Sequence, residues 1–426
     1  MGLFERFFPL SRERAKNPQN SYTSSSGGLI INTPQELEEA LRDGQLTASG
    51  KRVTAEQAMR VSAVFGCIRI ITGAVATIPV HVKRRNNDGT RHDASDVSLW
   101  KLLRKKPNSW QTPAQFMRQM QAAKLLQGNA YALIVKSKFG KKEPTDIIPL
   151  DPQKVEVKQH PDLTLSYIYT ASNGTRQKFK QDEIFHLFGL TLNGYSGVSV
   201  LTYARETIGE SIAMADHGAA LFKNGARASA TLEHPGSLGP DGHANLRQSL
   251  DEFRSGGDRE GKVLILEEAM KYKPISMTSV DAQWIESKKF TRGDVAMFFG
   301  VPPHMLGDTE KSTSWGSGIE QQSIGFVTYT LDDHLVDWEQ TINKSLIPED
   351  SDIYARFNRA ALVKGDLKTR MEAYTRGIQF GIYNPDEVRA LEDMNPRPGG
   401  DQFYPPPNMT KTLDAEGAKD EPKKTS

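Results

Sequence analysis

Apolar residues fall along this chain in stretches whose spacing predicts distinct elements. Val61–Val80 is the most apolar stretch, and it reads as a buried helix running past Pro79 into a strand. Its length suits a membrane span, but Arg69 near its centre would cost about 2.5–3.5 kcal/mol to insert. Val80, Val82 and Arg84 then alternate as a strand, and Asn86-Asn87-Asp88-Gly89 is a turn. Residues 113–127 are helical in pattern, and Tyr131–Val135 reads as a strand. Leu165–Tyr169 and Gln177–Phe179 flank Ser172-Asn173-Gly174-Thr175, a hairpin signal. This part of the chain is therefore α+β with antiparallel pairs.

Two long helical patterns follow. The first spans 199–223 and ends at Asn224-Gly225. The second spans about 281–299, with Ile285, Val295 and Phe299 on one stripe and Lys288, Lys289 and Arg292 off it. It would be roughly 28 Å long at ~1.5 Å per residue. Gly300 can cap it, and Pro302-Pro303 cannot continue it. Between the two lies a small α/β insert: strands at Ser229–Glu233, Val263–Leu266 and Tyr272–Ile275, and a charged helix over Asn245–Arg254. Residues 307–318 are rich in Gly, Ser and Thr and predict a mobile loop. Ile324, Val327, Leu331, Leu335, Trp338, Ile342 and Leu346 then step by threes and fours, as on an amphipathic helix. Tyr354–Phe357 is a short strand. Leu367–Arg376 and Pro385–Leu391 form a helical pair, with Asn384 as cap. Residues 1–27 read as a flexible arm and 405–426 as a disordered tail, since neither carries enough apolar residues for a core.

Charge changes the picture by what it removes. The 54 Lys and Arg against 52 Asp and Glu leave a net charge of +2, which gives no global pull toward nucleic acid or acidic membranes. The single Cys67 excludes internal disulfides and a cysteine-rich zinc site. The candidate chemistry is thin. Gly194-Tyr195-Ser196-Gly197-Val198-Ser199 resembles a nucleophile elbow but lacks the second glycine at the required spacing, and Ser199 reads better as a helix N-cap. Asp332-Asp333-His334 with Asp337 can put a carboxylate and an imidazole on a shared helix face, yet no second histidine stands at ligand spacing, so the expectation is a solvated face. No phosphate-cradling Gly-x-x-x-x-Gly-Lys-Ser/Thr loop occurs.

An ordered set of short motifs resembles the tailed-bacteriophage portal proteins of the HK97 type. It comprises Cys67–Pro79, Lys106-Pro107-Asn108 with Thr112, Gly128-Asn129-Ala130-Tyr131, Glu183-Ile184-Phe185-His186 and Gly197-Val198-Ser199. Asn224-Gly225-Ala226, Asp281 with Gln283 and Glu286, Phe299-Gly300-Val301-Pro302-Pro303, and Gly381 with Asn384, Glu387 and Arg389 complete it. Val200 departs from the pattern, where proline is common. The resemblance implies a portal fold with a mixed α/β wing, two long stem helices, a small α/β clip insert and a helical crown. On it the wing would begin at 28–198, stem helices would occupy 199–228 and 278–303, and the clip 229–277. A tunnel loop would occupy 304–318, a tunnel helix and the rest of the wing 319–365, and the crown 366–404.

The function implied is a non-enzymatic ring, usually of twelve copies, at one capsid vertex of the virion. It would have no cofactor and no membrane. Double-stranded DNA would pass through without being read for sequence. The large terminase, the head–tail adaptor and the major capsid protein would be partners, with assembly in the bacterial host cytoplasm. Lys311, Ser312, Thr313, Ser314 and Trp315 would belong to the tunnel loop of the DNA channel, Lys288, Lys289 and Arg292 would lie on the stem, and Arg247, Asp251, Arg254 and Arg259 would meet partners at the clip. A near-neutral chain suits that passage, because many phosphate contacts would bind tightly and act as brakes. A reading from another class is a hydrolase or nuclease using Ser196, Ser199 or the Asp332–Asp337 cluster. A third is a protein anchored in a membrane by 61–80.

Overall fold

The computed structural model describes residues 47–137, 143–223, 230–233, 236, 239, 242, 244–247, 270–274, 291–308, 317–359, 367–392 and 394–404. The chain divides into two compact units. One holds residues up to Thr77 and Val82–Ala355, the other Ile78–His81 and the chain from Arg356.

In the larger unit, α1 (Ala55–Ala58) is closed by a capping box between Thr54 and Gln57. The apolar stretch becomes α2 (Ser62–Thr77), which buries Val64, Cys67, Ile68, Ile71 and Val75 and leaves Arg69 exposed. That division is why the segment is a core helix. Strand β1 (Val80–Arg85) pairs antiparallel with β2 (Arg91–Asp93) through the predicted turn. Helix α3 (Ser98–Arg104) precedes Asn108, whose side chain donates to the Ile147 carbonyl (3.0 Å) and accepts from the Gln111 amide (2.9 Å). Thr112 caps α4 (Pro113–Gln127), and Gly128 ends it at φ 77°. Strand β3 (Asn129–Lys136) lies between β4 (Pro144–Leu150) and β8 (Ile184–Phe188), both antiparallel to it.

A second antiparallel sheet orders β5 (Val155–Gln159), β6 (Leu165–Thr170) and β7 (Arg176–Lys180). The Asn173-Gly174 turn joins β6 to β7, with Gly174 at φ 82°. Tyr131, Val155, Tyr167, Phe179 and Ile184 form the apolar cluster between the two sheets.

Ser199 caps the short α5 (Val200–Tyr203), and α6 (Arg205–Lys223) continues it after Ala204. Strands β9 (Ala230–Glu233) and β10 (Lys271–Pro274) pair antiparallel. Helix α7 covers 291–298 and buries Thr291, Val295 and Ala296. After a 3-10 turn at Pro303–Leu306, α8 (Ser317–Gly325) passes through a π-helical turn, Phe326–Leu331, into α9 (Asp332–Leu346). The predicted apolar stripe holds from Leu331 to Leu346 but fails at Ile324, which is 56% exposed. The π turn carries more residues per turn than an α-helix, so Phe326 takes the buried position five residues before Leu331. Trp338 is the largest fully buried side chain among the described residues. It stands edge-on to Phe116 at 6.2 Å, lies 5.8 Å from Phe185, and donates its indole N–H to Gln121 Oε1 (2.9 Å). Strand β11 (Ile353–Phe357) begins as this unit ends.

The smaller unit contains α10 (Leu367–Gln379) and α11 (Pro385–Leu391). Asn384 and Glu387 close a capping box at the start of α11, and Tyr374 donates to Glu392 (3.0 Å) across the pair. No helix among the described residues is long and apolar enough to cross a membrane.

Candidate functional site

Motifs far apart in sequence meet where α5 and α6 leave the sheet. Asn129 opens β3, and its side chain clasps both backbone polar groups of one residue of the 190s loop, Gly197. Its Oδ1 accepts from the Gly197 amide (2.7 Å), and its Nδ2 donates to the Gly197 carbonyl (2.8 Å). The same Oδ1 accepts from His186 Nε2 (3.0 Å), and His186 Nδ1 accepts from the Tyr167 hydroxyl (3.2 Å). The imidazole therefore carries its proton on Nε2. Burial pushes its pKa down to about 3, with a smaller push from Lys344. Gly128 and Gly197 touch back to back. A Cβ on Gly197 would stand 2.3 Å from the Gly128 carbonyl oxygen, so both must be glycine for the clasp to close. Ser199 completes the joint. Its hydroxyl donates to the Leu126 carbonyl (2.6 Å) and accepts from the Leu201 amide (3.1 Å). The chemistry available here is mechanical: a rigid, fully bonded root for a long helix.

A second cluster joins α4 to α9. Lys124 is buried, with 3% of its side chain exposed, and its ammonium pairs with Asp337 and donates to His334 Nδ1 (3.2 Å). Burial raises the Asp337 pKa, against the opposing pull of Lys124. Burial, then the Lys124 charge, drives the His334 pKa down to about 3. The expectation of a solvated face is corrected here: Asp333 is exposed, but His334 and Asp337 turn inward onto Lys124. One ligand atom each from Asp333, His334 and Asp337 lies within 4.8 Å of the others, a spacing that could hold a metal ion. The protein's own ammonium already serves that charge, and a metal would have to displace it. Nothing in the sequence marked Lys124, because a lysine on an amphipathic helix ordinarily reaches solvent.

The third feature is the end of α7. Gly300 takes φ 64°. Its amide donates to Met297 O (3.0 Å), and the Val301 amide donates to Ala296 O (2.9 Å), a left-handed cap. Thr330 Oγ1 then donates to the Gly300 carbonyl (2.7 Å), tying the cap to the π turn.

Of the residues singled out in sequence, Arg292 is half-buried on α7 and Arg247 is exposed on a helical turn at 244–247. Lys311, Ser312, Thr313, Ser314, Trp315, Lys288, Lys289, Asp251, Arg254 and Arg259 lie outside the described residues, as do the arm at 1–27, the strand at Val263–Leu266 and the tail at 405–426. Ser199 is committed to backbone on both sides, which is the bonding of a cap and not of a nucleophile beside a base.

The family model described as "Phage portal protein" matches residues 62–393. The portal protein of Enterobacteria phage HK97 is 32% identical over 384 residues, which cover 88% of each chain. Among solved structures, one from the neck of a native GTA particle computed with C12 symmetry has a TM-score of 0.55. It is 21% identical and covers 85% of this chain and 95% of its own. An HK97-family phage portal protein from Corynebacterium diphtheriae has a TM-score of 0.53 at 18% identity and covers 72% and 96%.

Proposed function

This chain belongs to the phage portal protein family, and from that premise we propose that it forms a closed ring at one capsid vertex. The ring would be the channel for genome packaging, retention and release. It would also be the docking site for the large terminase and then for the head–tail adaptor, and its outer surface would meet the major capsid protein. The observation that carries this reading is the 32% identity to the HK97 portal protein across 88% of both chains. The C12 symmetry used for the related neck supports twelve copies.

In this reading 199–228 and 278–303 are the stem and 229–277 the clip. The 304–318 stretch is the tunnel loop, 319–365 the tunnel helix with part of the wing, and 366–404 the crown. The joint at Asn129, His186 and Gly197 would then fix the first stem helix to the wing. The cap at Gly300 would end the second stem helix where the tunnel loop begins. No catalytic role is assigned to Ser199 or the Asp332–Asp337 cluster, since backbone groups and Lys124 engage them.

A ring of copies needs one surface to meet a different surface on its neighbour, repeated until the rotation closes. Negative-stain microscopy and light scattering of the purified protein test this. Closed rings are expected, and rings of a non-native subunit number still count in favour. A protein that stays monomeric over a wide range of concentration and salt would overturn it.

A further inference from the structure

The segment from Ser317 to Leu331 carries two apolar registers that overlap. Read backwards from Leu335 and Leu331 at α-helical spacing, the next inward positions are Val327 and Ile324. The π turn uses a different set. Asp332 N–H donates to Val327 O, five residues back, and Phe326 is buried while Ile324 is 56% exposed. Each register has its own apolar occupant, so neither winding leaves the inward position polar. The two ends of the turn differ in freedom. Thr330 is tied to the Gly300 carbonyl at 2.7 Å, and a Cβ on Gly300 would strike it, so the C-terminal end is held. Gly325, at the N-terminal end, has no Cβ, and among the described residues only Tyr329 comes near, at 4.0 Å from where one would stand. His304 also grips loosely. Its Nε2 reaches Ser323 Oγ at 3.5 Å, and its Nδ1 is buried without a hydrogen-bond partner among the described residues.

We infer that Phe326–Leu331 is a two-state winding element, in which the π turn closes to α-helix and exchanges Phe326 for Val327 and Ile324 on the buried face. One residue leaves the turn, and everything before Phe326 rotates by roughly 100°, one residue's share of an α-helical turn. The rotation re-aims α8. The use to which it would be put rests on the portal reading, in which α8 follows the 304–318 stretch, but the winding itself does not. Rare π turns inside α-helices are frequent at functional sites.

A thiol placed by Phe326→Cys reads the minor state, because position 326 is covered in the π winding and exposed in the α winding. Cys67 is the internal control. It is fully buried, with its pKa pushed up to about 12, and reacts only if the whole unit opens. Maleimide labelling of the full-length assembled protein is compared in three backgrounds: Phe326→Cys alone, with Ile324→Gln, and with Thr328 deleted. Ile324→Gln is harmless where Ile324 faces solvent but puts an amide on the buried face of the α winding. It should slow labelling at 326 by at least about tenfold, the worth of one buried aliphatic side chain. Deleting the exposed Thr328 shortens the turn and keeps Phe326's position inward, so labelling should fall to the Cys67 level. If position 326 labels at one rate in all three backgrounds, or never faster than Cys67, the element has a single winding and the inference fails. The portal assignment would stand untouched by that result.

Discussion

At the scale of single residues, the described part of the protein is organised by buried polar groups whose protons are fixed. His186 and His334 are both neutral at physiological pH because burial opposes their charged forms. An unfolded histidine takes up a proton near pH 6.5, while these two resist until about 3. Between those values the unfolded chain binds more protons than the folded one. The stability they contribute is therefore complete above pH 6.5 and is lost as the pH falls toward 3. For His186 the full loss is roughly 5 kcal/mol. Asp337 works the other way: its raised pKa lets the folded state take up a proton before the unfolded chain does as the pH falls. Urea unfolding from pH 8 to pH 4 should show the falling slope, and His186→Gln should flatten it. Removing Lys124 tests the second cluster. Lys124→Met strands a half-buried carboxylate and should cost roughly 3 kcal/mol, the low end for a broken buried pair because Asp337 keeps 30% of its side chain exposed. Lys124→Met with Asp337→Leu should recover most of that in the same denaturation assay, since no unpaired charge remains.

At the scale of elements, most of the described fold follows from local rules, and the departures have identifiable causes. The Asn173-Gly174 hairpin, the Asn384 cap and the Gly300 stop were legible because each is decided by the backbone freedom or hydrogen bonding of one or two residues. Strand β5 was not, since its turn to β6 contains no Asn-Gly pair and instead holds Leu163 at φ 67° beside the Asp162 carboxylate. The π turn escaped for a deeper reason: Ile324, Val327 and Leu331 satisfy a regular helix, and only packing selects Phe326 in their place. The joint between Asn129, His186 and Gly197 was visible as three motifs but not as one site, because periodicity says nothing about contacts 57 or 68 residues apart. That joint predicts its own weak point. Gly197→Ala drives a Cβ into the Gly128 carbonyl, where the obstacle is backbone and cannot rotate away. It should destabilise the protein by at least about 2 kcal/mol, measured by thermal or urea denaturation. Alanine at Gly239, where no described residue stands within 4 Å of the added Cβ, should change little and serves as the control.

At the scale of the whole molecule, the proposed channel would have to let a polyanion pass without holding it. A chain with a net charge of +2 gives no global grip on DNA, so contacts in such a channel would be few and local. The proposed clip concentrates charge in a short insert, where Arg247 is exposed. Reversing Arg247 and Arg254 to Glu should block packaging or tail joining in a complementation assay while rings still form. Normal heads and tails from that mutant would remove the clip from the partner interface. The proposed channel contact is the stretch holding Lys311, Ser312, Thr313, Ser314 and Trp315. Its flanks are anchored in different ways: the cap at Gly300 holds one side, and the buried row from Leu331 to Leu346 holds the other. A lysine there can meet a phosphate as a point charge, and the hydroxyls can bond phosphate oxygens, neither of which reads sequence. Trp315 is better suited to packing against a neighbouring copy, since stacking on bases requires unpaired strands. Deleting 311–315 should therefore leave ring assembly and the separate motor's ATP hydrolysis unchanged. It should lower the fraction of heads that keep a full genome, measured by nuclease protection of packaged DNA. Loop-deleted heads that retain their genomes as firmly as the parent would show that the channel narrows on other residues.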